Sequence, residues 1–303
     1  MLHFYDECPY ELDELEGRLG PARVLSQIGI PCLIHGEDAL AFVHWVPTGL
    51  FALNIVVANE DVPRAVSAIT SVFPYRIFTG IHPHLSNHRS CDPHQTRSYP
   101  NSTFLDLVET DTCHPETVLI HPEFEFNLVV SDYSRSVPLP PFPDNIRFPT
   151  RAAFLDSTIE TRLDPNSGLV TEPVTSIFEV WINYMALYTL RNTPLVLPNG
   201  ELEPESEELK RSLKPENQLQ FEEILRGKET AYSRLHHFKL RREVLRNMGK
   251  IDLADRPRPR LPPGNRQYIA EKEAAYEAKW AREKAQSASS SRATTSSTEK
   301  KLE

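Results

Sequence analysis

Residues 30–58 constrain this chain more than any other stretch. Ile30-Pro-Cys-Leu-Ile-His35 is a short apolar run, Gly36 breaks it, and Glu37-Asp38 opens a helical pattern that reaches Trp45. After Val46-Pro47-Thr48 the chain turns apolar again over Leu50–Ala58. The pattern predicts a strand, a helix and a second strand apolar on both faces, as a central strand requires. Asp61 and Pro63 mark the start of another helix, in which Ala65, Val66, Ile69, Val72 and Phe73 recur at helical spacing. Tyr75–Phe78 reads as a third strand. With short helices over 12–20 and 21–28, the first 80 residues alternate α–β–α–β–α–β.

That order around a glycine turn resembles the core of the nucleotidyltransferase superfamily, with usable motifs over residues 12–80 and a similar layout over 12–250. A group of uncharacterised fungal proteins has a similar Gly-Glu-Asp-Ala-Leu turn. The same order of segments also suits a generic α/β domain, and that reading stays open. The resemblance implies a mixed sheet with flanking helices, a turn at Gly36, Glu37 and Asp38 where a triphosphate would lie, and an Asp-x-Asp pair on the second strand. This chain has Ala52 and Asn54 at that spacing. Residues i and i+2 of a strand share a face, so two acids there would grip one cation. Alanine offers no ligand, and the asparagine amide is a neutral, weaker donor. The turn departs as well. Glu37 and Asp38 suit the positive end of a helix dipole but repel a polyanion. The expectation is a degenerate pocket at Gly36, Glu37, Asp38 and Asn54 that has lost nucleotidyl transfer, a pseudoenzyme acting as a binding protein with no cofactor. Its ligand would be an unidentified protein or small molecule in the inherited cleft.

Two other readings use other residues. An active transferase would need Mg or Mn on non-standard carboxylates, drawn from Asp38, Asp106, Glu123 and Glu125. If 117–130 is one long strand bent at His121-Pro122, Glu123 and Glu125 share a solvated face with Phe124 and Phe126 opposite. A zinc-stabilised interaction protein would use Cys91, His94, Cys113 and His114, the right ligand types within a His-rich stretch. The adjacent Cys113-His114 pair is poorly spaced for that, because neighbours in an extended chain point to opposite sides. No Gly-x-Ser-x-Gly, Gly-x-Gly-x-x-Gly or P-loop sequence occurs.

The pattern divides the chain into an α/β part over 1–145, a mainly helical part over 146–250, and a tail over 251–303. The tail combines a Pro-rich basic linker, a solvated helix and a Ser-rich segment expected to be disordered. Helices are expected over 176–191, with Ile177, Trp181, Tyr184, Met185 and Tyr188 on one face, and near 205–212 and 215–248. Thr150 is expected to cap a helix.

Charge is unevenly spread. Residues 226–303 hold 19 Lys and Arg against 10 Asp and Glu, and the preceding 225 residues hold 14 against 32. So acidic a body is no nucleic-acid surface, and the basic 234–260 region is the one place where nucleic acid could bind. The basic helix around 234–246 is expected to turn Leu235, Phe238 and Leu245 inward and Arg241 outward. A second reading of that helix is contact with the acidic body. No apolar run reaches the roughly 20 residues that span a bilayer, and an intracellular protein, cytoplasmic or nuclear, is expected.

Overall fold

The computed structural model describes residues 6–78, 101–108, 113–163, 172–227 and 233–254, with short helical pieces between 274 and 282. Two short helices, α1 (Leu12–Arg18) and α2 (Gly20–Gln27), lead into β1 (Cys32–His35). Gly36 then turns the chain into α3 (Glu37–His44), and β2 (Leu53–Val57), α4 (Val62–Val72) and β3 (Tyr75–Ile77) follow. The sheet is completed by β4 (Thr103–Leu107), β5 (Thr117–Pro122), β6 (Ser136–Pro138) and β7 (Ile146–Pro149).

These strands form one seven-stranded mixed sheet in the order β3-β4-β5-β2-β1-β7-β6. β1 and β2 are antiparallel, with His35 opposite Asn54, and β2 runs parallel to β5, with Asn54 opposite Leu119. Every residue of β1, β2 and β5 is buried, which matches their mainly apolar sequences. Helices α2 and α4 pack on each other and on the sheet. Gly17 and Gly20 let the 113–114 segment lie against the α1–α2 corner. A Cβ on Gly17 would stand 2.8 Å from Cys113 Sγ, and one on Gly20 would stand 3.1 Å from the His114 ring.

Three helices after the sheet matter most for the site. Thr150 caps α5 (Arg151–Leu163) by accepting the Ala153 N–H, as its position predicted. α6 (Glu172–Thr189) buries Phe178, Trp181, Ile182 and Met185, and its Phe178 and Trp181 join Phe154 of α5 and Phe126 around His35. The sheet face carrying His35, Asn54 and His121 is thus roofed by aromatic side chains. α7 (Pro204–Ser212), α8 (Pro215–Leu225), α9 (Ser233–Asn247) and α10 (Ile251–Ala254) complete the described chain.

Several expectations are corrected. The chain does not continue as a strand past Pro122. Glu123–Phe126 is a 3-10 turn that buries Glu125 and leaves Phe124 48% exposed, against the expected alternation at both positions, while Phe126 is buried as expected. A tight turn points successive side chains about 120° apart, so period-two alternation fails there. Ile146–Pro149 is a strand of the main sheet, so the boundary expected at 145 falls one residue before it. Asp61 makes no cap bond and accepts instead from Arg64. The single helix expected over 215–248 is two, α8 and α9.

Arg241 faces inward, where its guanidinium donates to Asn217 beside Glu160, so this part of α9 meets the acidic body. There Asp156 and Glu160, one turn apart on α5, are buried. Asp156 accepts from Arg135, from the Lys214 backbone N–H and from Asn217, and Glu160 accepts from Lys214 and Asn217. The cations offset much of the cost of taking two carboxylates out of water. The tail expected over 251–303 lies largely outside the described residues.

Candidate functional site

The Gly36 turn, the end of β1 and the start of β2 meet at one point of the sheet, with β5 running alongside β2. Gly36 has φ +72°, a left-handed value that favours glycine. It is also hemmed in, since a Cβ there would stand 2.9 Å from Asn54 Nδ2 and 3.0 Å from the Trp181 ring. The indole N–H of Trp181 donates to Glu37 Oε1 at 3.0 Å, joining residues 144 apart in sequence. Glu37 is buried, and burial pushes its pKa up to about 7 against the opposing pull of its own backbone N–H and the indole N–H.

Asp38 does not face the same space. Its carboxylate is fully buried and bound by both ends of the Arg18 guanidinium, with Nε to Oδ1 at 2.7 Å and Nη2 to Oδ2 at 3.0 Å. Arg18 Nη2 also donates to the Phe51 carbonyl, tying α1 to the segment before β2. Burial raises the Asp38 pKa while Arg18 works against that rise.

A buried polar chain runs across the sheet behind the turn. Asn54 Nδ2 donates to the Ala52 carbonyl, which aims Oδ1 at His121 Nε2, 3.0 Å away. That nitrogen must therefore carry a hydrogen. On the other side of the ring, Nδ1 lies 2.6 Å from Ser102 Oγ, and Ser102 also bonds Glu125. Ser102 has one hydroxyl proton for two neighbours. Burial lowers the His121 pKa, and Glu125 counteracts that.

His35, at the end of β1, is held neutral. Burial pushes its pKa down to about 3, with His121 and His44 adding to the effect. Ser157 gives its hydroxyl proton to the Phe126 carbonyl, so His35 Nε2–H is the donor to Ser157 Oγ at 3.2 Å. The ring stacks on Phe154 at 4.7 Å and meets Trp181 edge-on.

The four carboxylates picked out by sequence do not converge. Asp38 is with Arg18, Glu125 with Ser102, Glu123 accepts the Val130 N–H at 2.9 Å, and Asp106 on β4 accepts from Thr117. Of the zinc candidates, Cys91 and His94 lie outside the described residues. Cys113 is exposed, and His114 packs on Phe73 with Nδ1 2.9 Å from the Gly17 carbonyl. Among the described residues no group of three His, Cys, Asp or Glu is arranged to hold a metal ion, and no described helix is long and apolar enough to cross a membrane.

Of the pocket positions expected from sequence, Gly36, Glu37 and Asn54 lie at the turn and Asp38 turns away to Arg18; sequence reasoning missed Ser102, His121, Ser157 and Trp181. The one available signal was polar residues inside otherwise apolar strands, His35 and His121, which in a buried strand must find partners.

No family model matches the chain, and no curated protein does. Among solved structures, a protein described as a "putative nucleotidyltransferase from H. pylori" is similar over 80% of this chain and 99% of its own, at 12% identity and a TM-score of 0.32. At that score the likeness carries no argument about the site, and the α/β assignment rests on the sheet and helices described above.

Proposed function

We propose that this protein is a nucleotidyltransferase-like α/β scaffold that does not transfer nucleotides and works by binding a protein or a small molecule. The observation that carries this reading is the filling of the Gly36 turn. Trp181 and Asn54 stand where a Cβ on Gly36 would already collide, and Glu37 faces the indole rather than open space. A triphosphate would have to displace an aromatic ring and then meet the Glu37 carboxyl group.

The residues present do not fit a catalytic divalent cation. Ala52 has no ligand atom, and the one side-chain oxygen of Asn54 already accepts from His121. An imidazole N–H thus points at the position where a metal would pull on a carboxylate. The remaining acids are held singly by separate partners.

The test is a thermal-shift titration of the full chain with ATP, CTP, GTP and UTP, each with Mg²⁺ or Mn²⁺. No metal-dependent rise in Tm is expected. A rise that Asp38→Ala abolishes would establish the metal-dependent transferase instead. Zinc near one equivalent in elemental analysis of purified protein would point to the zinc-stabilised interaction protein.

A further inference from the structure

We propose that Trp181 and Glu37 form a latch, an autoinhibitory contact through which α6 closes the mouth of the Gly36 turn from within the same chain. The geometry has three parts. The Trp181 ring lies against Gly36, with room for no side chain between them. Its N–H is committed to Glu37 Oε1, on the first residue of α3. The ring is otherwise held by apolar contacts with Phe178, Phe154 and the edge of His35.

One directional bond therefore joins the roof to the turn, and the rest of the contact is non-directional packing. The neighbouring charges are committed elsewhere. Asp38, next in sequence, is paired with Arg18 of α1, Asn54 is bonded to His121, and Glu179, two residues before Trp181 on α6, is paired with Arg162. Glu37 has the indole as its side-chain donor from another element.

The consequence is local. The first amides of a helix have no backbone partner one turn back; those of Glu37 and Asp38 bond their own carboxyl groups, and the roof over the turn shields them further. When the latch opens, these amides and the aromatic pocket vacated by the indole become accessible, while β1, β2 and β5 stay paired. The latch does not depend on whether the fold transfers nucleotides. It predicts only that entry to the turn is gated by one side chain from α6.

The experiment is amide hydrogen exchange on the full chain and three variants. Trp181→Phe removes the indole donor alone, Glu37→Ala removes the acceptor of both the indole and the residue's own N–H, and Glu37→Gln keeps a carbonyl that accepts the same bonds. Loss of one hydrogen bond is expected to raise exchange at residues 37–39 by about tenfold in Trp181→Phe and Glu37→Ala, with residues 33–35 and 55–57 unchanged. Glu37→Gln should restore protection to within about twofold of the parent. Three outcomes would overturn the latch: unchanged exchange at 37–39, an equal rise at 33–35 and 55–57, or a Gln variant as open as the Ala variant. If Glu37→Ala does not fold, Trp181→Phe against Glu37→Gln decides the question alone.

Discussion

Asn54 and His121 face each other across two parallel strands, with Oδ1 and Nε2 3.0 Å apart in a fully enclosed site. An aspartate at position 54 would put a carboxylate beside an imidazole that already has Ser102 and Glu125 behind it. Asn54→Asp is expected to raise the His121 pKa. Imidazole nitrogen chemical shifts followed through a pH titration would measure this. The same variant should not acquire Mg²⁺ affinity, because the new acid is neutralised by His121. Calorimetric titration with Mg²⁺ would check that.

Glu37 ties stability to pH. Its pKa rises from an ordinary 4.5 to about 7 in the fold, so the folded state favours the protonated carboxyl. Stability from this residue is complete below about pH 4.5 and is lost as pH rises to about 7. The loss amounts to about 3 kcal/mol for a shift of this size. Glu37→Gln should abolish that part of the pH dependence and leave the protein more stable than its parent at pH 8, as read by urea denaturation at pH 5 and pH 8.

Arg18 and Asp38 should show the asymmetry of a buried ion pair. Arg18→Ala strands a fully buried carboxylate and is expected to cost about 3–5 kcal/mol. The apolar pair Arg18→Met with Asp38→Leu should cost much less, because no charge is left unpaired. Chemical denaturation of the single and double variants separates the two outcomes.

Gly36→Ala combines a strained backbone with two collisions. A left-handed φ costs about 1–2 kcal/mol for a residue with a Cβ, and the methyl group must also displace Asn54 or Trp181. A loss of about 2 kcal/mol or more is expected. Gly29→Ala, at a similar φ with nothing within 4 Å, should show the backbone cost alone. The difference between the two in thermal denaturation measures the crowding.

The scaffold was legible where burial makes the sequence monotonous. Cys32–His35 and Leu53–Val57 are apolar runs bounded by turn residues, and the helices α3, α4 and α6 follow their apolar spacing. The outer strands β6 and β7 were hidden, since Val137-Pro138 and Ile146–Pro149 are short and proline-flanked and look like connectors. The site was half legible. Gly36, Glu37 and Asn54 are close in sequence, so local geometry places them. Ser102, His121 and Ser157 acquire their partners only through strand order and helix docking. The inward turn of Arg241 depends on Asp156, Glu160 and Asn217, whose burial the α9 sequence cannot reveal.

The bond between Glu37 and Trp181 also bears on how the chain is made. While it emerges from the ribosome, β1, β2 and β5 can pair well before residue 181 has been added, leaving His35 and its neighbours without a lid. A nascent chain stopped near residue 165 would carry an uncovered sticky surface and be a client for chaperones. The first third of the protein should thus reach its final rigidity only after synthesis has passed α6.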